Sequence, residues 1–107
     1  HLVMELCPGR ELFDHVTKTR LSEPEAKHIV QQLLLAVAYL HRHKIIHCDI
    51  KLENIMYDSE MGGVKLIDFG FSKDMDRRHA LYHAQGTLSY TAPELFLEQV
   101  TDKCDVW

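Results

Sequence analysis

The sequence predicts an α+β fold, mainly helical, in which one short β-hairpin carries polar loops at both ends. Three observations predict it. A start signal at Ser22-Glu23-Pro24-Glu25 opens a long apolar stripe of helical period, two short β-prone runs flank Gly62-Gly63, and no period holds from Phe69 to Tyr90. A hydrophobic fraction of 46% with 26% charged residues is that of a soluble chain that buries a core, which excludes a disordered one.

In chain order, His1-Leu2-Val3-Met4-Glu5-Leu6 alternates weakly and meets Cys7-Pro8-Gly9, which predicts a strand running into a turn. A short helix is expected from about Glu11 to Thr17. Ser22 to Glu25 has the S-x-x-E form of a capping box, with Pro24 in the first turn where its missing N–H costs nothing. Ala26, Ile29, Val30, Leu33, Val37 and Leu40 then make one stripe, read as core rather than as a ligand site. Arg42, His43 and Lys44 close that helix with the positive charge its carboxyl end favours. Asn54 to Tyr57 and Val64 to Ile67 are the hairpin strands, and the long aperiodic loop after them is of a length usually tied to function.

The net charge of −4 is small and scattered, so neither a nucleic-acid footprint nor a basic membrane-binding face is visible. The apolar run Leu33 to Leu40 falls far short of the roughly 20 residues a membrane span needs, so no membrane segment is expected. Cys7, Cys48 and Cys104 are odd in number and widely spaced, which argues against a disulfide framework or a zinc site and for the cytosol or nucleus. The eight histidines, His41 and His43 included, lack metal-ligand spacing and read as packing or surface residues. Arg77-Arg78-His79 reads as a solvated basic patch. Both ends read as cut, since His1 is not an initiator Met and Trp107 stands inside an unfinished apolar pattern.

The polar groups around the hairpin carry the chemistry. His47-Cys48-Asp49-Ile50-Lys51-Leu52-Glu53-Asn54 precedes it and Asp68-Phe69-Gly70 follows it, so Asp49, Asn54 and Asp68 can converge on one point. Two oxygen ligands, Asn54 and Asp68, suit magnesium, which completes its shell with water and phosphate. Asp49 is left as a base or orienter, and Lys51 can neutralise a phosphoryl group in transfer.

These residues resemble the protein kinase family. The first segment is similar to the catalytic loop H-R-D-L-x-x-x-N, with Cys48 at the Arg position and Ile50 at the Leu position. Asp68-Phe69-Gly70 and Ala92-Pro93-Glu94 match D-F-G and A-P-E in order. Val3-Met4-Glu5-Leu6 resembles the inter-lobe hinge with Met4 as gatekeeper, Gly86-Thr87 the substrate-docking turn, and Asp102 to Trp107 the start of the long buried helix of the C-lobe. The form D-x-K-x-x-N resembles serine/threonine kinases, and Val64 to Lys73 with Lys103 to Trp107 looks most like calmodulin-dependent and calcium-dependent kinases.

The resemblance implies a protein-kinase fold in which residues 1–107 form a partial domain, from the hinge to the start of the buried helix, without the N-lobe and the last C-lobe helices. It implies ATP and Mg2+ as cofactors and protein Ser or Thr hydroxyls as acceptors. Asp49 would take the hydroxyl proton, Lys51 would meet the phosphate, and Asn54 and Asp68 would hold the metal. On the nucleotide side stand Met4, Glu5, Leu6, Glu11, Glu53 and Met56, with Met56 under adenine and Glu11 near the ribose. Glu11 and Glu53 would also face a peptide groove and select basic residues before the acceptor. Thr87 would bond the catalytic loop, Asp105 would brace it, Glu94 belongs to the A-P-E element, and His47 and Phe69 would pack.

With Cys48 for Arg and His83 where a phosphorylated Thr stands in similar kinases, no loop-phosphate switch is expected. Regulation then falls to a calmodulin- or calcium-sensing region outside the chain, which itself holds no EF-hand loop. Residues 1–107 alone are expected to be inactive and to leave the helix stripe partly exposed. The alternatives are a pseudokinase that binds or scaffolds, against which the intact Asp49, Lys51, Asn54 and Asp68 count, and a small-molecule phosphotransferase, against which Lys51 and Ala92-Pro93-Glu94 count.

Overall fold

The computed structural model describes residues 1, 3–76, 87–97 and 100–107. The basic patch at Arg77-Arg78-His79, together with Tyr82, His83 and Gly86, lies outside the described residues. Strand β1 (Arg10–Glu11) leads into helix α1 (Leu12–Lys18), and helix α2 spans Glu23–Arg42. Strands β2 (Ile45–Ile46), β3 (Ile55–Asp58), β4 (Gly63–Leu66) and β5 (Lys73–Asp74) follow, with 3-10 turns at Leu52–Asn54, Leu88–Tyr90, Pro93–Leu97 and Asp102–Asp105. Among the described residues the result is α+β, with two helices and two small antiparallel sheets, ordered β1-β3-β4 and β2-β5.

Helix α2 starts where the sequence places it, but only half of the capping box forms. Ser22 Oγ accepts the Glu25 N–H at 3.4 Å, while the Glu25 carboxylate turns to the Tyr57 hydroxyl at 2.9 Å. A buried hydroxyl needing an acceptor thus claims the side chain that would have capped the helix. At the other end His43 and Lys44 donate back to Leu40 and His41, and Lys44 adopts φ 63°, the left-handed stop that often ends a helix. Ile29, Val37 and Leu40 are buried, and Ile29 and Leu40 share a core with Leu12, Ile55, Tyr57 and Leu66. Val30, assigned to the stripe, is instead 51% exposed beside Leu34 and Leu35. It lies at the stripe's edge, turned from the sheet that covers the other face.

The hairpin is pinned to α2 by Gln32. Its Nε2 donates to the Gly62 carbonyl at 2.7 Å and its Oε1 accepts the Val64 N–H at 3.1 Å. Within the turn Asp58 Oδ1 accepts the N–H groups of Glu60 and Met61, and Gly62 supplies φ 66°. The register pairs Ile55 with Leu66 and Tyr57 with Val64, and each strand is shifted by one residue from its expected limits at both ends.

Three expectations are corrected. No strand forms at His1 to Leu6 among the described residues, where Val3 and Leu6 are 92% and 94% exposed; pairing begins only at Arg10, opposite Tyr57. The stretch from Phe69 is not structureless, because β5 returns to pair with β2, Ile45 against Asp74 and Ile46 against Lys73. Asp102–Asp105 makes a 3-10 turn rather than the first turn of an α-helix.

Candidate active site

The loop after β2 is held from below by one carboxylate. Asp105, its side chain fully buried, accepts the His47 N–H on Oδ2 and the Cys48 N–H on Oδ1, both at 2.8 Å, and His41 donates to Oδ2 from Nε2 at 2.9 Å. These bonds hold Cys48 at φ 67°, a left-handed conformation that costs a side-chain-bearing residue about 1–2 kcal/mol. The strained peptide turns the chain so that Asp49 points into the interior. His47, with no exposed surface, ties the loop to the end of β4: its Nδ1 accepts the Asp49 N–H at 3.3 Å, so Nε2 carries the proton and donates to the Ile67 carbonyl at 3.1 Å. Its ring meets Phe69 edge-on at 5.0 Å.

Asp49 is the centre of the site, 3% exposed, with both oxygens engaged. Lys51 Nζ and Asn54 Nδ2 each lie 2.9 Å from Oδ2, and the Thr87 N–H donates to Oδ1 at 3.2 Å. Lys51 also donates to Thr87 Oγ1 at 2.8 Å, so the segment before Ala92 is bonded to the loop. Burial pushes the Asp49 carboxyl upward, but the bonds from Lys51, Thr87 and Asn54 outweigh it and hold it below the ordinary aspartate range. The bond to Asp49 in turn raises Lys51 and outweighs the opposing effect of burial, so the pair is carboxylate and ammonium.

Asn54 gives both amide hydrogens to Asp49, one to the carboxylate and one to the backbone carbonyl at 2.9 Å, which leaves its Oδ1 as a coordinating atom. The Asn54 carbonyl accepts the Ile67 N–H, bringing Asp68 to the same end of the hairpin. Asp68 is exposed, at φ 61°, with Oδ1 accepting the Gly70 N–H at 3.1 Å. The two side chains thus offer only oxygen, which fits a hard cation sharing its shell with phosphate.

The structure brings together Asp49, Lys51, Asn54 and Thr87, with Asp105 beneath them and Asp68 across the hairpin. Glu11 and Met56 are register partners in the sheet, and Met56 borders a cavity of about 250 Å³ with Pro8, Val64 and Lys65. Glu53 is half-buried, and its Oε2 has no hydrogen-bond partner among the described residues. Met4 and Leu6 are not gathered in; they stand 75% and 94% exposed. Glu5 pairs with Lys65 at 2.7 Å. Glu94 is half-buried in the Pro93–Leu97 turn, close enough for its charge to act on Cys104. Sequence reasoning missed His41, whose bond to Asp105 spans most of the chain and has no local signature.

A model of the protein kinase domain matches residues 1–107. The chain is 40% identical over 110 residues to calcium-dependent protein kinase 6 of Plasmodium berghei, covering all of this chain and 7% of that protein. It is 44% identical over 108 residues to a probable myosin light chain kinase of Dictyostelium discoideum and 42% identical over 109 residues to the carbon catabolite-derepressing protein kinase of Secale cereale. Each of those matches covers 99% of this chain and 22% of the relative.

Proposed function

The chain belongs to the protein kinase domain family, and on that premise we propose that the protein carrying it transfers the γ-phosphoryl group of ATP to Ser or Thr hydroxyls of other proteins. The observation that carries this reading is the Asp49 cluster. A buried carboxylate kept ionised, with an ammonium and an amide fixed beside it, suits a reaction in which positioning and electrostatics supply nearly all of the catalysis.

In this reading Asp49 orients the acceptor hydroxyl and takes up its proton as the oxygen bonds to phosphorus. Lys51, bonded to Asp49 and Thr87, lies where it can turn its charge to the transferring phosphoryl group. Asn54 Oδ1 and the Asp68 carboxylate would hold magnesium, which neutralises phosphate charge when bound. Met56 and Glu11, side by side in the sheet, are assigned to adenine and ribose, and Met4, Glu5 and Leu6 to the hinge. Glu53 Oε2, without a partner among the described residues, supports a preference for basic residues before the acceptor. A cytoplasmic setting and control by a calcium-sensing region elsewhere in the protein complete the proposal.

The test is phosphoryl transfer by the full-length protein to a Ser/Thr peptide library, with Asp49→Asn as comparison. The variant should lose about 10²–10⁴ of the rate while still binding ATP, the contribution of a positioned base. Full activity in Asp49→Asn removes that residue from its role. A wild-type protein that binds ATP and transfers nothing is a pseudokinase.

A further inference from the structure

Cys48 and Cys104, far apart in sequence, meet at Asp105. Its Oδ1 accepts the Cys48 N–H at 2.8 Å, and Cys104 Sγ lies 3.9 Å from the same oxygen. Cys48 is also the strongest influence on the Cys104 thiol, which makes the two side chains close neighbours. Both are free and half-buried, and both line one cavity of about 300 Å³ with Leu33, Ile50 and Leu95. That volume admits a molecule the size of water or hydrogen peroxide.

We propose that Cys48 and Cys104 are a peroxide-sensitive dithiol whose disulfide staples the catalytic loop to the Asp102–Asp105 turn. Two thiols that line one cavity and meet at one carboxylate oxygen are placed to reach the bonding separation of about 2.05 Å by side-chain rotation. The clamp on Asp105 keeps both backbones in place for it. Cys48 beside it, then burial, push the Cys104 thiol up, and the Asp105 carboxylate 3.9 Å from its sulfur also disfavours a thiolate, so Cys104 keeps its proton. A protonated thiol is a poor nucleophile, which makes Cys48 the site of first attack and Cys104 the resolving partner.

The chemistry balances with hydrogen peroxide as the oxidant. The Cys48 sulfur, after losing its proton, attacks one peroxide oxygen; the O–O bond breaks, a sulfenic acid forms and hydroxide leaves, taking up that proton as water. The Cys104 sulfur then attacks the sulfenic sulfur, the S–O bond breaks, and a second water leaves with the Cys104 proton. Two thiols and one peroxide thus give one disulfide and two waters, and a dithiol reductant reverses it. Cys48 immediately precedes Asp49, so the staple acts next to the central carboxylate, and it does so whether or not the protein transfers phosphate.

Peptide mapping of the full-length protein, before and after hydrogen peroxide, decides the matter without any variant. The expected product is a peptide joining Cys48 to Cys104, lighter by two hydrogens than its parts and released by dithiothreitol. In a Cys104→Ser variant Cys48 should instead be trapped by dimedone as sulfenic acid. Both thiols remaining open to alkylation after peroxide, or Cys48 advancing to sulfinic acid with no cross-link in the wild type, overturns the proposal.

Discussion

Replacing Asp105 with Ala should destabilise the protein more than any surface change, because one buried carboxylate holds three donors. The His47 and Cys48 amides each give it a 2.8 Å bond and His41 a 2.9 Å bond. Hydrogen bonds to a charged acceptor are worth about 1.5–3 kcal/mol each. The strain at Cys48, φ 67°, would lose what offsets it. The sum is about 3–5 kcal/mol, allowing for relaxation and for water entering the space, out of a usual total of about 5–15. The assay is urea unfolding of full-length wild type, Asp105→Ala and Asp105→Asn, read as the midpoint at unchanged slope. Asp105→Asn keeps the shape but turns one acceptor into a donor facing an N–H, so it should lose nearly as much. A loss below about 1 kcal/mol in Asp105→Ala, or near-complete rescue by Asn, would refute the claim that acceptor oxygens hold this loop.

Other outcomes follow from the same geometry. Since the Asp49 carboxyl is held below its ordinary 3.8, its contribution to stability is present in full above that value and is lost as pH falls through the folded value; the unfolding midpoint should drop with pH in that window, and less so in Asp49→Asn. Gly9→Ala should cost about 2 kcal/mol or more, because φ is +84° and the new Cβ would sit 2.6 Å from the Tyr57 carbonyl carbon and against its oxygen; an unchanged thermal midpoint would contradict the fit of β1 to β3. On a peptide array, Glu53→Ala should weaken selection for Arg or Lys before the acceptor about tenfold or more, as loss of one charge-assisted contact implies, and an unaltered preference would make Glu53 a structural acid. Phosphatase treatment should leave activity intact, since Cys48 supplies no cation for a loop phosphate; a large loss restored by rephosphorylating residues 71–91 would reverse that view.

By itself the sequence determined what depends on neighbours along the chain. The start of α2 at Ser22, its end near Lys44, the hairpin about Gly62 and the polar residues at its two ends all follow from period, turn chemistry and spacing within a few residues. It also singled out Asp49, Lys51 and Asn54, because a loop this short leaves them little room to separate. Only the tertiary structure decided who meets whom across the chain. Glu25 abandons its cap for Tyr57, β5 emerges from an aperiodic stretch because β2 offers it an edge, and Asp105 collects donors from α2 and from the loop after β2. Cys48 and Cys104, whose spacing argued against pairing, stand together at Asp105 for the same reason. A local pattern sets which face a residue presents, but a carboxylate or a thiol finds its partner wherever the chain returns, and that return is fixed by the burial of Leu12, Ile29, Leu40, Ile55, Tyr57 and Leu66 in one core.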